Sequence, residues 1–218
     1  MLFLLTGDVQ IGKTRWLEDL CASLQAAGTC VAGVVAPGQW VPRPEGQPGG
    51  KHGFDGAERF EKLGIDNVLL PQSKRIEFAR RRDLAAGGKA FAEGAQAKAA
   101  KLGWAISDTA ISQVNAHFAT LAKQAANETR LAPHAMLVVD ELGRLELLRG
   151  CGLTNALAIL DAGPTPQFPH AIAVVRETLL DEARRRFKLL WGEPIAISPG
   201  NASRELVLET AKITGNTR

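Results

Sequence analysis

Leu2-Phe3-Leu4-Leu5-Thr6 runs straight into Gly7-Asp8-Val9-Gln10-Ile11-Gly12-Lys13-Thr14, an apolar stretch followed by the spacing G-x-x-x-x-G-K-[ST]. The glycines let a backbone curl tightly and aim consecutive N–H groups at phosphate oxygens. Lys13 can then reach the outer phosphates and the Thr14 hydroxyl can ligate Mg²⁺. A motif this short arises by accident in unrelated chains, so its surroundings decide. Before it stands a β-type run. After it, Arg15 to Ala27 sets Trp16, Leu17, Leu20, Cys21 and Leu24 on one helical stripe. Strand, loop and helix in that order predict a nucleotide site. Gly7, Asp8, Val9, Gln10, Ile11, Gly12, Lys13, Thr14 and Arg15 would lie against the bound molecule.

A second segment completes the pattern. Met136-Leu137-Val138-Val139-Asp140-Glu141 is a continuous apolar run closed by two carboxylates, the form of a parallel strand buried on both faces and ending in a Walker B pair. Asp140 at its carboxyl end would hold Mg²⁺ opposite Thr14, and Glu141 would orient or deprotonate a water.

With 218 residues, 45% of them hydrophobic, the chain can bury a substantial core, and a single domain with an inserted segment is expected. A balance of 26 basic against 23 acidic side chains, net +3, gives no argument for nucleic acid as an obligatory partner. Cys21, Cys30 and Cys151 are odd in number and lack C-x-x-C spacing, which points away from disulfides and zinc and toward a reducing cytoplasm. Met1 to Thr6 is too short for a signal-peptide core, and no stretch reaches the about 18 apolar residues that span a bilayer.

Along the chain, Cys30 to Ala36 reads as a second strand. From Pro37 the prolines and glycines interrupt any long element, and 37–107 reads as an insertion with short strands such as Asn67 to Leu70. Residues 85–101 read as a helix or a loop. A helix is expected from Asp108 to about 128, with Ile111, Val114, Phe118, Leu121 and Ala125 on its apolar face. Leu153 to Leu160, Glu177 to Leu190 and Ser203 to Ile213 read as helices, and His170 to Val175 and Pro194 to Ile197 as strands. The βα alternation predicts an α/β three-layer sandwich, a P-loop fold with a mostly parallel central sheet and ligand at the strand carboxyl ends.

The loop, Gly53-Phe54 in the insertion, Gly103-Trp104 before a long helix, and Val139-Asp140-Glu141-Leu142-Gly143-Arg144-Leu145-Glu146-Leu147 together resemble a small family, the nucleotide-kinase-like P-loop nucleoside-triphosphatases of the THEP type. The Asp-Glu-Leu-Gly-x-Leu-Glu-Leu run is the sharpest element of the likeness. The resemblance implies hydrolysis of nucleoside triphosphates with Mg²⁺ and broad base tolerance. It implies phosphate and metal binding by Gly7, Gly12, Lys13 and Thr14, metal at Asp140, and a water served by Glu141. Arg15 stands where the family commonly carries a second Thr, and Asn201-Ala202-Ser203-Arg204 where it carries an Asn-Arg pair.

Arginines that reach the γ-phosphate stabilise the spread negative charge of phosphoryl transfer. Arg176, just past a strand, and Arg144, three residues past Glu141, are the candidates, each against a solvated surface role. Arg80 to Arg82 reads as a solvated loop rather than a lid, and Arg184 to Arg186 as largely water-facing. Glu146 reads as structural, Trp104 as core rather than a base platform, and His117 as a helix-surface residue. His52 and His134 lack metal spacing. ATP or another NTP is the expected substrate and Mg²⁺ the expected ion. Alternatives are a small-molecule or nucleoside kinase with its acceptor in the insertion, or a slow switch meeting a protein partner there. No Asn/Thr-Lys-x-Asp guanine-reading motif is present.

Overall fold

The computed structural model describes residues 1–9, 11–43, 60–81, 104–127 and 134–215. Gln10, His52, Gly53-Phe54, Arg82, the stretch 85–101 and Gly103 lie outside them.

Apolar strands dominate the centre. β1 (Leu2–Leu5), β2 (Val31–Val35), β7 (Met136–Leu142) and β8 (His170–Val175) are almost entirely buried, and β9 (Ile195–Ile197) closes one edge. They pair in parallel as β2-β7-β8-β1-β9. Alternate side chains serve opposite faces. Leu2, Leu4, Val34, Leu137, Val139 and Ala173 face one core, whereas Phe3, Leu5, Val35, Val138 and Val174 face the other. The first core is covered by α2 (Asp108–Asn127), α4 (Thr154–Asp161) and α5 (Leu180–Trp191), through Val114, Phe118, Leu157 and Phe187. The second is covered by α1 (Lys13–Ala26) and α6 (Asn201–Gly215), through Leu17, Leu20, Leu24 and Val207. This is the three-layer sandwich with a mostly parallel sheet that the alternation predicts. Among the described residues no helix is long and apolar enough to cross a membrane.

Within 37–107 the described residues continue the same sheet. β3 (Gly38–Pro42), β4 (Phe60–Leu70), β5 (Lys74–Arg81) and β6 (Trp104–Ile106) add antiparallel strands in the order β6-β5-β4 against β2, with β3 also on β4. The short run Asn67–Leu70 is thus the end of a strand of 11 residues. Its length is masked in the sequence because the face holding Ile65 and Leu69 carries a buried polar residue, Asn67, between them. His117 departs from the surface role expected of it: it is half-buried, with Nε2 3.1 Å from the Gly33 carbonyl oxygen. It sits three residues past Val114, on the stripe that faces the sheet.

Candidate active site

The loop after β1 turns on two glycines with left-handed backbones, Gly7 at φ 130° and Gly12 at φ 89°, and Gly12 caps α1. Lys13 opens the helix, and its Nζ donates to the carbonyl oxygens of Gly7 at 2.8 Å and Asp8 at 2.6 Å. Burial lowers the Lys13 pKa first, and Arg176 adds to this, while Glu141, Asp140 and Asp8 oppose it. The ammonium thus rests on the loop's own carbonyl oxygens, within the field of Asp140 and Glu141.

β7 delivers those carboxylates across β8, which lies between β7 and β1. Asp140 is 2% exposed, and its Oδ2 accepts the Ala36 N–H at 2.8 Å while its Oδ1 has no partner. Among the described residues two other carboxylates are buried. Asp66 accepts from Gln39 Nε2 at 2.6 Å on Oδ1 and from Arg75 at 2.7 Å on Oδ2. Glu146 accepts the Gly143 N–H on Oε2 and the Leu153 N–H on Oε1, each at 2.9 Å. Asp140 alone of the three keeps an oxygen in reserve. Its pKa is pushed up to about 7, by burial first and by Glu141 second, against the Ala36 N–H, the nearby Thr14 hydroxyl and Lys62. A buried acceptor without a donor is costly unless something electropositive meets it.

Thr14 and Asp140 would, with phosphate oxygens, make a hard-oxygen set suited to Mg²⁺, which binds through one or two carboxylates plus substrate phosphates and keeps several waters. The residues present fit that ion. Glu141 follows at φ 67°, where the β7–β8 register slips between Val139 and Leu142. A non-glycine residue held there stores roughly 1–3 kcal/mol of strain, and such strain gathers at functional sites. The slip turns the Glu141 side chain out of the strand alternation and into the cavity wall.

That cavity, about 560 Å³, is lined by Val9, Gly12, Lys13, Thr14 and Arg15 on one side and by Asp140, Glu141, Arg144 and Arg176 on another. Gly7, Asp8 and Ile11 are not among its walls. Arg176 follows β8 directly and Arg144 is the first residue of α3 (Arg144–Arg149); both are exposed. The structure thus gathers the loop, both carboxylates and both arginines around one space.

Solved structures share this arrangement of elements. THEP1 from the hyperthermophile Aquifex aeolicus superposes with a TM-score of 0.58 at 14% identity, over 96% of each chain. A human cancer-related nucleoside triphosphatase does so at 0.52 and 16% identity, over 100% of this chain and 98% of that one. The fold is that of the THEP-type P-loop NTPases. No family model and no curated protein sequence matches the chain.

On this THEP-type frame several walls of the cavity are residues that the sequence did not single out. Trp40 from β3, Lys62 and Asn67 from β4, and Phe78 from β5 form a wall supplied by the antiparallel strands. Trp104 joins them, half-buried against the core with its ring 5.5 Å from Lys62 Nζ. Its face is a cavity wall as well as core. No motif spacing marks Lys62 or Asn67, because each is a lone polar residue in a mixed strand. Arg80 and Arg81, which the sequence places in a solvated loop, lie on β5 and pair with Glu77 and, at 3.4 Å, with Glu61, and Arg186 pairs with Asp161 at 2.6 Å.

Proposed function

We propose that this chain is a Mg²⁺-dependent nucleoside-triphosphate hydrolase of the THEP type, releasing nucleoside diphosphate and phosphate with broad base tolerance. The observation that carries the reading is the pair at the end of β7: buried Asp140 with a spare oxygen beside the loop, and strained Glu141 lining the cavity next to it. A phosphate-binding loop alone fits kinases, switches and hydrolases alike. A carboxylate held in the site at an energetic cost favours a reaction that needs a base.

In this reading the loop amides and Lys13 bind and orient the triphosphate, and Thr14 and Asp140 hold Mg²⁺, which when bound neutralises charge on the outer phosphates. Glu141 takes a proton from water as its oxygen bonds to the γ-phosphorus. The bond to the β–γ bridging oxygen breaks, and the diphosphate leaves with the electron pair. Arg144 and Arg176, on the rim, meet charge that spreads over the γ-phosphoryl oxygens. The absence of a guanine-reading motif supports base tolerance, and the free thiols Cys21, Cys30 and Cys151 suit a reducing cytoplasm.

Phosphate release from ATP, GTP, CTP and UTP with Mg²⁺ tests this. Wild type turns over steadily on all of them, Lys13→Ala loses binding and turnover, and Glu141→Gln binds nucleotide while kcat falls by about 10²–10⁴. Phosphate passed faster to a nucleoside or small metabolite than to water would overturn the assignment in favour of a kinase.

A further inference from the structure

Among the described residues five cationic side chains line the cavity, Lys13, Arg15, Lys62, Arg144 and Arg176, and Lys62 alone of these comes from the antiparallel strands. Its course is built. A Cβ added at Gly38 would stand 2.6 Å from Lys62 Cε and 3.3 Å from Cδ, and 2.7 Å from Trp40 Nε1. The absence of a side chain at position 38 is therefore what lets the lysine stem cross β3 beside the Trp40 indole. At the end of that path the ammonium sits over the Trp104 ring. An indole face attracts a cation without neutralising it. Among the described residues Lys62 makes no ion pair, although Glu141 and Asp140 are near enough to favour its charged form against the burial that lowers its pKa. A lysine whose stem needs a glycine beside it, whose ammonium lies over an indole face, and which lines the same cavity as Asp140 and Glu141 is a poor solubilising residue and a good electrostatic one.

We propose that Lys62 is a further catalytic residue, contacting the γ-phosphoryl oxygens from the wall that the antiparallel strands supply, whereas Lys13 reaches them from the loop. This rests on the hydrolase reading for the reaction, though the contact itself needs only a bound triphosphate. Lys13 and Lys62 approach from the loop and from β4 respectively, so the γ-phosphoryl group is gripped from two sides while Glu141 serves the water. Lys62 exchanges no proton. It stays an ammonium, and as the bond to the bridging oxygen breaks it balances the charge gathering on the equatorial oxygens. The preference it creates is for triphosphate over diphosphate, because the diphosphate lacks the group it touches.

The test uses the full chain with Lys62→Met, Lys62→Arg and Gly38→Ala. Two quantities are read: phosphate release, and Mg²⁺-nucleotide affinity for ATP against ADP followed by tryptophan fluorescence or calorimetry. Lys62→Met is expected to cut kcat by about 10²–10³ and to erase most of the preference for ATP over ADP, with ADP affinity unchanged. Lys62→Arg restores part of both, and Gly38→Ala, which displaces the stem, reproduces the methionine variant in weaker form. A Lys62→Met protein that keeps wild-type kcat and its ATP-over-ADP preference overturns the proposal. So does one that loses ATP and ADP affinity equally, which would make Lys62 a support of the pocket. Should wild type bind ATP without hydrolysing it, the hydrolase reading fails while the affinity comparison still decides the contact.

Discussion

The two halves of the sheet are held together by different means. In the parallel half, β1, β2, β7 and β8 are buried, mainly aliphatic runs whose polar side chains are Asp140, Glu141 and His170. In the antiparallel half, β3, β4 and β5 mix charged, polar and aromatic residues and are tied by side-chain pairs such as Asp66 with Gln39 and Arg75. The cavity lies where the halves meet. One supplies residues fixed by a motif and the other supplies walls. The three carboxylates buried among the described residues sharpen the contrast: Asp66 and Glu146 have both oxygens engaged, and Asp140 has one without a partner.

The largest expected effect follows from that spare oxygen. Asp140→Asn should lower Mg²⁺-dependent turnover by about three powers of ten, since metal charge is worth several kcal/mol to the transition state. The same change should raise the melting temperature of the metal-free protein at neutral pH. Asp140 titrates at about 7 in the fold, well above its ordinary value of 3.8. A carboxyl whose pKa rises on folding binds its proton more tightly in the native state, so its stabilising share is present below pH 3.8 and is lost as pH climbs to 7. Wild type without metal should therefore lose stability between about pH 4 and 7, and the asparagine variant should lose less. Thermal melts across that range decide it. An asparagine variant less stable than wild type at pH 7 would mean that Asp140 is a structural carboxylate like the other two.

The same contrast explains what the sequence revealed. Long, fully apolar strands and a loop of fixed spacing are local signals, and the parallel half was legible from them down to the ends of β8, read and found as His170 to Val175. Glu146 was legible as structural because an acidic residue early in a helix has the dipole and a cap to serve. The antiparallel half was opaque for a physical reason. Its strands are stabilised by cross-strand partners distant in the chain, Trp40 opposite Lys62 and Arg81 opposite Trp104, so neither alternation nor apolar runs survive in any single window. Lys62 becomes visible only when Gly38 and Trp104 are folded around it.

An intermediate effect is expected at Glu146, where both halves of the carboxylate are used. Glu146→Ala leaves the Gly143 and Leu153 N–H groups without their acceptors and opens space beside Gly152, for a cost of about 2–4 kcal/mol. Denaturant unfolding measures it. Because Gly143 and Arg144 start α3 directly after Asp140 and Glu141 at the end of β7, kcat should fall along with stability, while Glu146→Gln, keeping one acceptor, should recover part of each. A stable alanine variant would show that α3 is fixed by Leu145 and Leu147 alone.

The smallest effects should come from the antiparallel half, and they test whether its polar pairs hold it. Asp66 is 5% exposed and anchors two partners, whereas the Arg75 side chain is 60% exposed. Removing the buried partner strands Gln39 and the arginine together; removing the exposed one leaves a carboxylate still bonded to Gln39. Asp66→Ala should accordingly cost about 1–3 kcal/mol and Arg75→Ala less than about 1 kcal/mol, with turnover at saturating nucleotide unchanged in the arginine variant. A double-mutant cycle reads the coupling, expected to be a few tenths of a kcal/mol and to shrink with added salt. Equal costs for the two single changes would relocate the holding force to the solvent-facing ion pair. The antiparallel strands would then be a salt-sensitive wall, and both nucleotide affinity and the position of Lys62 should weaken together as ionic strength rises.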